Sequence, residues 1–183
     1  IKIDENGWNF VGYRGLSSHG ATIGIILSII LYKIKYKYES VLWIFDRLVI
    51  VVAFGGMLVR IGNFFNSEIV GNYTNSNFGV IFLNRSETLP RHPAQLYESF
   101  GYLILFIILY TLYHKTKLRD KKGFFFGFFL VFLFGVRFVV EYVKESQGGI
   151  ENYLGLLTTG QWLSIPFMLI GLIILLRSNL KKI

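Results

Sequence analysis

A helical bundle that crosses a membrane several times is the fold this sequence predicts, and three observations predict it. Only 16% of the 183 residues are charged, while 53% are hydrophobic and 17% aromatic; an average soluble domain carries roughly 25% charged residues. The charged residues are also bunched, leaving uncharged runs at 20–32, 48–59, 99–113, 123–136 and 162–176. Finally, the basic residues between these runs alternate between dense and sparse connections. The expected class is therefore all-α: a polytopic integral membrane bundle with five spans, forming a single transmembrane domain over 1–183.

Each run is shorter than the ~20 residues a helix needs to cross hydrocarbon. Flanking Tyr, Trp, Lys and Arg side chains extend each one into the interface. Lys33, Lys35 and Lys37 follow the first run. Lys115, Lys117, Arg119, Lys121 and Lys122 follow the third, opposed only by Asp120, and Arg177, Lys181 and Lys182 follow the fifth. Lys144 is the single basic residue between the fourth and fifth runs, and Arg60, Arg85 and Arg91 are spread over the long connection 60–95. By the positive-inside rule the lysine-rich connections and the C-terminus are cytoplasmic, and the connections 60–95 and 144–160 face outward. The lysines read as topology determinants that touch anionic lipid. The stretch 71–90 is rich in Asn, Ser, Thr and Gly, with Val80–Leu83 as a short strand, and loops of that length often carry function. The chain opens at Ile1 with a polar stretch and no signal peptide, and reads as a piece of a longer membrane protein.

Composition also excludes several classes. The apolar content rules out disorder. The +8 charge sits beside apolar runs, so it does not point to nucleic acid. No cysteine is present, which removes disulfides, thiolate metal sites and a cysteine nucleophile. Three histidines, one of them the cytoplasmic-side His114, make no evident metal set, and no cofactor is expected.

The ionisable residues near the spans gather toward the outer side. His19 stands at the outer end of the first span. Arg60 begins the stretch RIGNFFNSEIVG as the second emerges, and RHPAQLYE (91–98) opens the third, with Pro93 suited to a first helical turn. Arg137 and Glu141 lie one turn apart on the fourth span, and at ~1.5 Å per residue Arg137 is roughly 20 Å from the cytoplasmic end. An ionisable group at that depth is expensive unless paired or facing a polar cavity. Each has a structural reading: Arg137/Glu141 as a helix staple, His19 as a capping group, Gln95 and Glu98 as partners of backbone groups. Asn63 and Asn66 beside Gly62 read as turn residues, since Asn tolerates left-handed backbone. The phenylalanine run 124–134 reads as lipid-facing or interhelical packing. None of these explains why all the costly groups share one side.

RIGNFFNSEIVG resembles the signature of bacterial prolipoprotein diacylglyceryl transferases. SSHGATIG, HPAQLYE, FGVRFVVEYVKE and LGLLTTGQWLSIP are similar to four further segments of that family, in family order, from about Gly15 to Pro166. The chain departs from the family at Val59, commonly Gly, where altered helix packing is expected, and at Ser18, commonly Phe, where a changed pocket wall is expected. The resemblance implies seven spans, two of them preceding this chain together with an important tyrosine. It also implies an enzyme of the bacterial inner membrane, with its active site toward the outer leaflet. Such an enzyme moves a diacylglyceryl group from phosphatidylglycerol to the lipobox cysteine of a prolipoprotein signal peptide, the first step of lipoprotein maturation. Carried onto this chain, Arg60 and Arg137 become phosphate clamps, because a guanidinium stays charged at depth and grips phosphate at two points. Glu68 and Glu141 orient them, Asn63, Gly71 and Glu98 shape the headgroup site, and His19 is the general base for the incoming thiol. Two readings from other classes remain: a transporter or channel, against which the cytoplasmic halves show no polar path, and a non-catalytic lipid-binding membrane protein.

Overall fold

The computed structural model describes residues 2–4, 7–9, 18–36, 40–145 and 157–180. The chain divides into two compact units, 1–41 and 42–183. In the first unit, strands β1 (Lys2–Asp4) and β2 (Gly7–Asn9) form a small antiparallel hairpin with Ile3 opposite Trp8. Helix α1 (Ser18–Lys35) follows; from Ile23 to Leu31 most of its large apolar side chains are exposed, and Ile29 is buried.

The second unit is helical. It comprises α2 (Val41–Phe65), α3 (Ala94–Lys115), α4 (Phe124–Val140) and α5 (Thr159–Leu180), with short 3-10 turns at Leu83–Arg85, Lys117–Asp120 and Glu141–Val143. Each of the five described helices falls on one of the five uncharged runs, with ends that differ. Four of them, α2 to α5, with the turn Glu141–Val143 extending α4, are long and apolar enough to cross a membrane. At 18 residues, α1 spans about 27 Å at ~1.5 Å per residue, slightly less than the hydrocarbon core.

Packing in this unit is apolar inside and apolar outside, as a bilayer requires. Val49 and Ala53 of α2, Leu105 and Leu109 of α3, and Phe125, Phe129 and Leu130 of α4 form the core. Outward stand Val51, Leu58, Ile107, Leu169 and Ile173, each about half exposed or more. Val59 is 60% exposed, so the expected effect of this residue on helix packing does not arise among the described residues. The phenylalanine run packs between helices: Phe125 and Phe129 are buried in the core, and Phe124, Phe128 and Phe132, partly buried against it, form a stacked series.

Helix α4 packs most extensively on α5. Their backbones approach at Gly127 and Gly171: a Cβ at either would sit 2.8 Å from the other's carbonyl oxygen. Small residues permit such contact where lipid offers helices no hydrophobic incentive to associate.

At the Lys115–Lys122 end, α4 is anchored by a carboxylate from α2. Asp46 is 2% exposed, and accepts hydrogen bonds from the backbone N–H groups of Gly123 (2.6 Å) and Phe126 (2.8 Å). These are donors that a helix start leaves without intrahelical partners. Gly123, the residue before α4, supplies no side chain to cap them, so Asp46 does so from 77 residues away. Its neighbour Arg47 stacks on Trp43 at 3.4 Å and donates to the Trp43 carbonyl.

Candidate functional site

Chain direction brings the C-terminal ends of α2 and α4 beside the N-terminal end of α3. Arg60 in the last turns of α2 donates from Nε to Glu98 Oε2 at 2.6 Å; the Glu98 side chain is 1% exposed and that of Arg60 14%. Glu98 Oε1 has no hydrogen bond, but the ammonium of Lys144 stands 3.5 Å away. Lys144 also lies 3.5 Å from Glu141 Oε2, and its own side chain is 8% exposed. Tyr102, one turn beyond Glu98, is buried with Arg60, Glu98 and Arg137 in its electrostatic surroundings. Its ring lies over Gly56 of α2.

Arg137 differs from Arg60. No carboxylate among the described residues lies within ion-pair distance of it, and its buried Nε has no hydrogen-bond partner. Its guanidinium stands 6.0 Å from the Phe134 ring centre. Buried polar atoms are ordinarily satisfied. The four exceptions among the described side chains are Gln95 Oε1, Glu98 Oε1, Arg137 Nε and Trp162 Nε1. They belong to the N-terminal ends of α3 and α5 and the C-terminal end of α4, and all lie at one end of the bundle.

The connection after α2 frames this end. Ser67 and Ile69 adopt left-handed backbone (φ 58° and 56°), while Asn63 and Gly62 remain within α2. Asn66 lies in the turn that follows α2, as expected, whereas Asn63 is helical, and the left-handed positions fall on Ser67 and Ile69. A β-branched residue at positive φ is strained, and Ile69 is held there by the bonds around it: Glu68 N–H donates to Asn63 O at 2.9 Å, and Gln95 Nε2 donates to the Glu68 carbonyl. The Glu68 side chain itself is exposed, and the carboxylate on Arg60 is that of Glu98. Gly71 N–H donates to His92 O at 2.9 Å, and a Cβ there would lie 2.5 Å from His92 O and 2.6 Å from Val143 O. Only glycine lets the three backbone segments meet. Val80 makes a single bridge to Arg91 and the chain then enters the turn Leu83–Arg85, in place of the short strand expected over 80–83.

Outside this lies a second ionic group. Arg91, 5% exposed, donates to Glu87 (2.6 Å), Glu145 (3.1 Å) and Gly71 O (3.1 Å), and covers the Tyr73 ring at 3.8 Å. Arg85 reaches the same two carboxylates. The hydrogen bond from Arg91, aided by Arg85, holds the Glu87 carboxyl below its ordinary value. On α5, Gln161 bonds to Thr158 and to the Phe138 carbonyl, and the missing side chain of Gly160 leaves room for the Glu141 carboxylate.

The structure thus gathers Arg60, Glu98, Arg137 and Glu141, with Asn63 and Gly71 in the bordering segments. His19 lies in the first turn of α1, in the other unit; its side chain, and residues 146–156 of the connection 144–160, lie outside the described residues. Lys144 and Tyr102 were not anticipated. Tyr102 carried a signal in its position four residues after Glu98, while Lys144 was read only as a loop charge.

The family described as prolipoprotein diacylglyceryl transferase matches residues 6–177. A phosphatidylglycerol–prolipoprotein diacylglyceryl transferase of Tolumonas auensis is 45% identical over 168 residues, covering 92% of this chain and 64% of that protein. One from Bacteroides fragilis is 42% identical over 182 residues (98% and 64%), and one from Chlamydia trachomatis 39% over 172 (92% and 63%). The chain therefore spans slightly under two thirds of the length of these relatives. The family match over most of the chain, the identity to these relatives and the four apolar helices of spanning length show that this chain belongs to the prolipoprotein diacylglyceryl transferase family.

Proposed function

We propose that this chain carries the phosphate-binding part of an enzyme that transfers diacylglyceryl from phosphatidylglycerol to the lipobox cysteine of a prolipoprotein, in a bacterial inner membrane. The observation that carries this reading is the contrast between its two arginines. Arg60 is oriented by a buried carboxylate, and Arg137 presents a buried, unpartnered Nε on the same cluster. Guanidinium groups held in a water-poor site are suited to a phosphodiester, and they stabilise charge that develops as the phosphate departs.

The transfer is substitution at the glyceryl carbon that bears the phosphate ester. The cysteine thiolate forms the C–S bond, the C–O bond breaks with its electron pair going to oxygen, and glycerol phosphate leaves. The thiol proton must pass to a base, for which His19 is the proposal, since a neutral imidazole can accept it near neutral pH. Arg60 and Arg137 would hold the phosphate, Glu98 and Glu141 would fix the cations around it, and Asn63, Glu68 and Gly71 would shape the loop that borders it. Basic residues at the Lys115–Lys122 end support a cytoplasmic placement there and an outer-leaflet placement for the site.

The test is release of labelled glycerol phosphate in the presence of a lipobox peptide, using the full-length enzyme. Arg137→Lys keeps the charge and loses the planar fork, so turnover should fall by about 100-fold or more, the scale of losing one transition-state donor. The exposed Arg119→Lys should behave as wild type. Near-normal release from Arg137→Lys would remove Arg137 from the site.

A further inference from the structure

We propose that Lys144 is a specificity-determining residue: it supplies the third cation that raises this cluster from neutral to one net positive charge, the charge that a singly charged phosphodiester headgroup balances and a doubly charged phosphate monoester exceeds. The inference rests on the reading above that the cluster receives lipid phosphate. Among the described residues of the second unit, the inner cluster holds Arg60, Arg137 and Lys144 against Glu98 and Glu141, leaving one net positive charge. The outer group cannot alter that balance, because its two arginines are matched by Glu87 and Glu145.

The position of Lys144 makes its charge count. Its ammonium stands 3.5 Å from each of two carboxylates with its side chain 8% exposed, so water screens it little. Glu98 Oε1 and Arg137 Nε meanwhile lack hydrogen-bond partners, leaving a donor and an acceptor ready for a ligand. Attraction to the site grows in proportion to ligand charge, whereas the desolvation penalty grows with its square. A buried site of net charge +1 is therefore best filled by a monoanion, which leaves the complex neutral. A phosphate monoester brings a second negative charge that no further cation among the described residues of the cluster offsets. Glycerol phosphate, the product of the proposed transfer, is such a monoester, so the same balance that admits the diester helps expel the product.

The experiment measures equilibrium binding of full-length protein in nanodiscs of phosphatidylcholine doped with phosphatidylglycerol or with phosphatidic acid, at pH 8. There a phosphate monoester is mostly dianionic. Lys144→Gln should weaken phosphatidylglycerol binding by about tenfold and phosphatidic acid by about the square of that, since the lost charge acts on two charges instead of one. Lys144→Arg should restore both. Glu141→Gln, which raises the net charge to +2, should shift preference toward phosphatidic acid. A lysine that served only as a strut between α3 and the end of α4 would lose both lipids by the same factor, and that outcome overturns the proposal. Unchanged phosphatidylglycerol binding in Lys144→Gln, or no recovery in Lys144→Arg, overturns it equally. Failure of the wild type to bind phosphatidylglycerol would instead defeat the functional reading beneath it.

Discussion

Glu98 is the side chain on which the cluster depends most, and its removal gives the sharpest test of the ionic arrangement. It is 1% exposed, accepts from Arg60 at 2.6 Å and faces Lys144 at 3.5 Å. At an effective dielectric of about 20, two unit charges ~4 Å apart attract by ~4 kcal/mol, and breaking a buried pair by deleting one partner destabilises by about 3–5 kcal/mol. Arg60 keeps a route to solvent at 14% exposure, so Glu98→Ala belongs near the lower limit, at about 3 kcal/mol. Glu98→Gln keeps an oxygen to accept from Arg60 and should lose roughly half of that. The assay is denaturant unfolding of the full-length protein in mixed micelles, with turnover measured on the same preparations. Turnover should fall in Glu98→Gln even where the protein remains folded, because Arg60 is no longer held by a charge. Glu98→Ala unfolding within about 0.5 kcal/mol of wild type, the scatter of ordinary surface substitutions, would refute the claim that this pair is buried and coupled.

His19→Asn should abolish transfer and retain phosphatidylglycerol binding, as a base rather than a phosphate ligand would; loss of both together points to a structural role, and retained turnover removes the base. Asp46→Ala strips two buried backbone donors of their acceptor, and should destabilise by about 2–3 kcal/mol on the scale of lost caps and unsatisfied groups, with Asp46→Asn milder; unfolding midpoints decide this, and equal loss in both variants would show that the cap is not what matters. Glu87 has its carboxyl held below the ordinary value of 4.5, so its stabilising effect is complete above about that pH and disappears as pH falls through the lower folded value. The melting-temperature gap between wild type and Glu87→Gln should close on acidification, and a gap unchanged down to pH 3 would contradict the pairing.

Helix number and order were legible because hydrocarbon allows few ways to satisfy a backbone, and long uncharged runs advertise the one chosen. Helix ends were not. Helix α2 starts at Val41, before the uncharged run at 48, and α3 at Ala94, before the run at 99. In each case polar residues that are buried or, for Arg47, partly buried interrupt the run yet belong to the helix. Asp46 is absorbed by the start of α4, Arg47 by Trp43, Gln95 by the Glu68 carbonyl and Glu98 by Arg60. Each partner is distant in sequence or hidden in backbone, so hydropathy counts these residues as interruptions.

The pairing of charges shows the same limit at finer scale. Spacing alone sets Arg137 and Glu141 one turn apart on a regular helix and suggests that they pair. The helix does not stay regular: α4 ends at Val140 and tightens into a 3-10 turn over Glu141–Val143. Between Arg137 and Glu141 the backbone is still α-helical, with the Glu141 N–H on the Arg137 carbonyl, yet Glu141 faces Lys144, at 3.5 Å, and Arg137 Nε has no hydrogen-bond partner. The tightened turn after Glu141 draws Lys144 inward against two carboxylates, and the unpartnered Arg137 Nε is the edge that the proposed anionic ligand would meet.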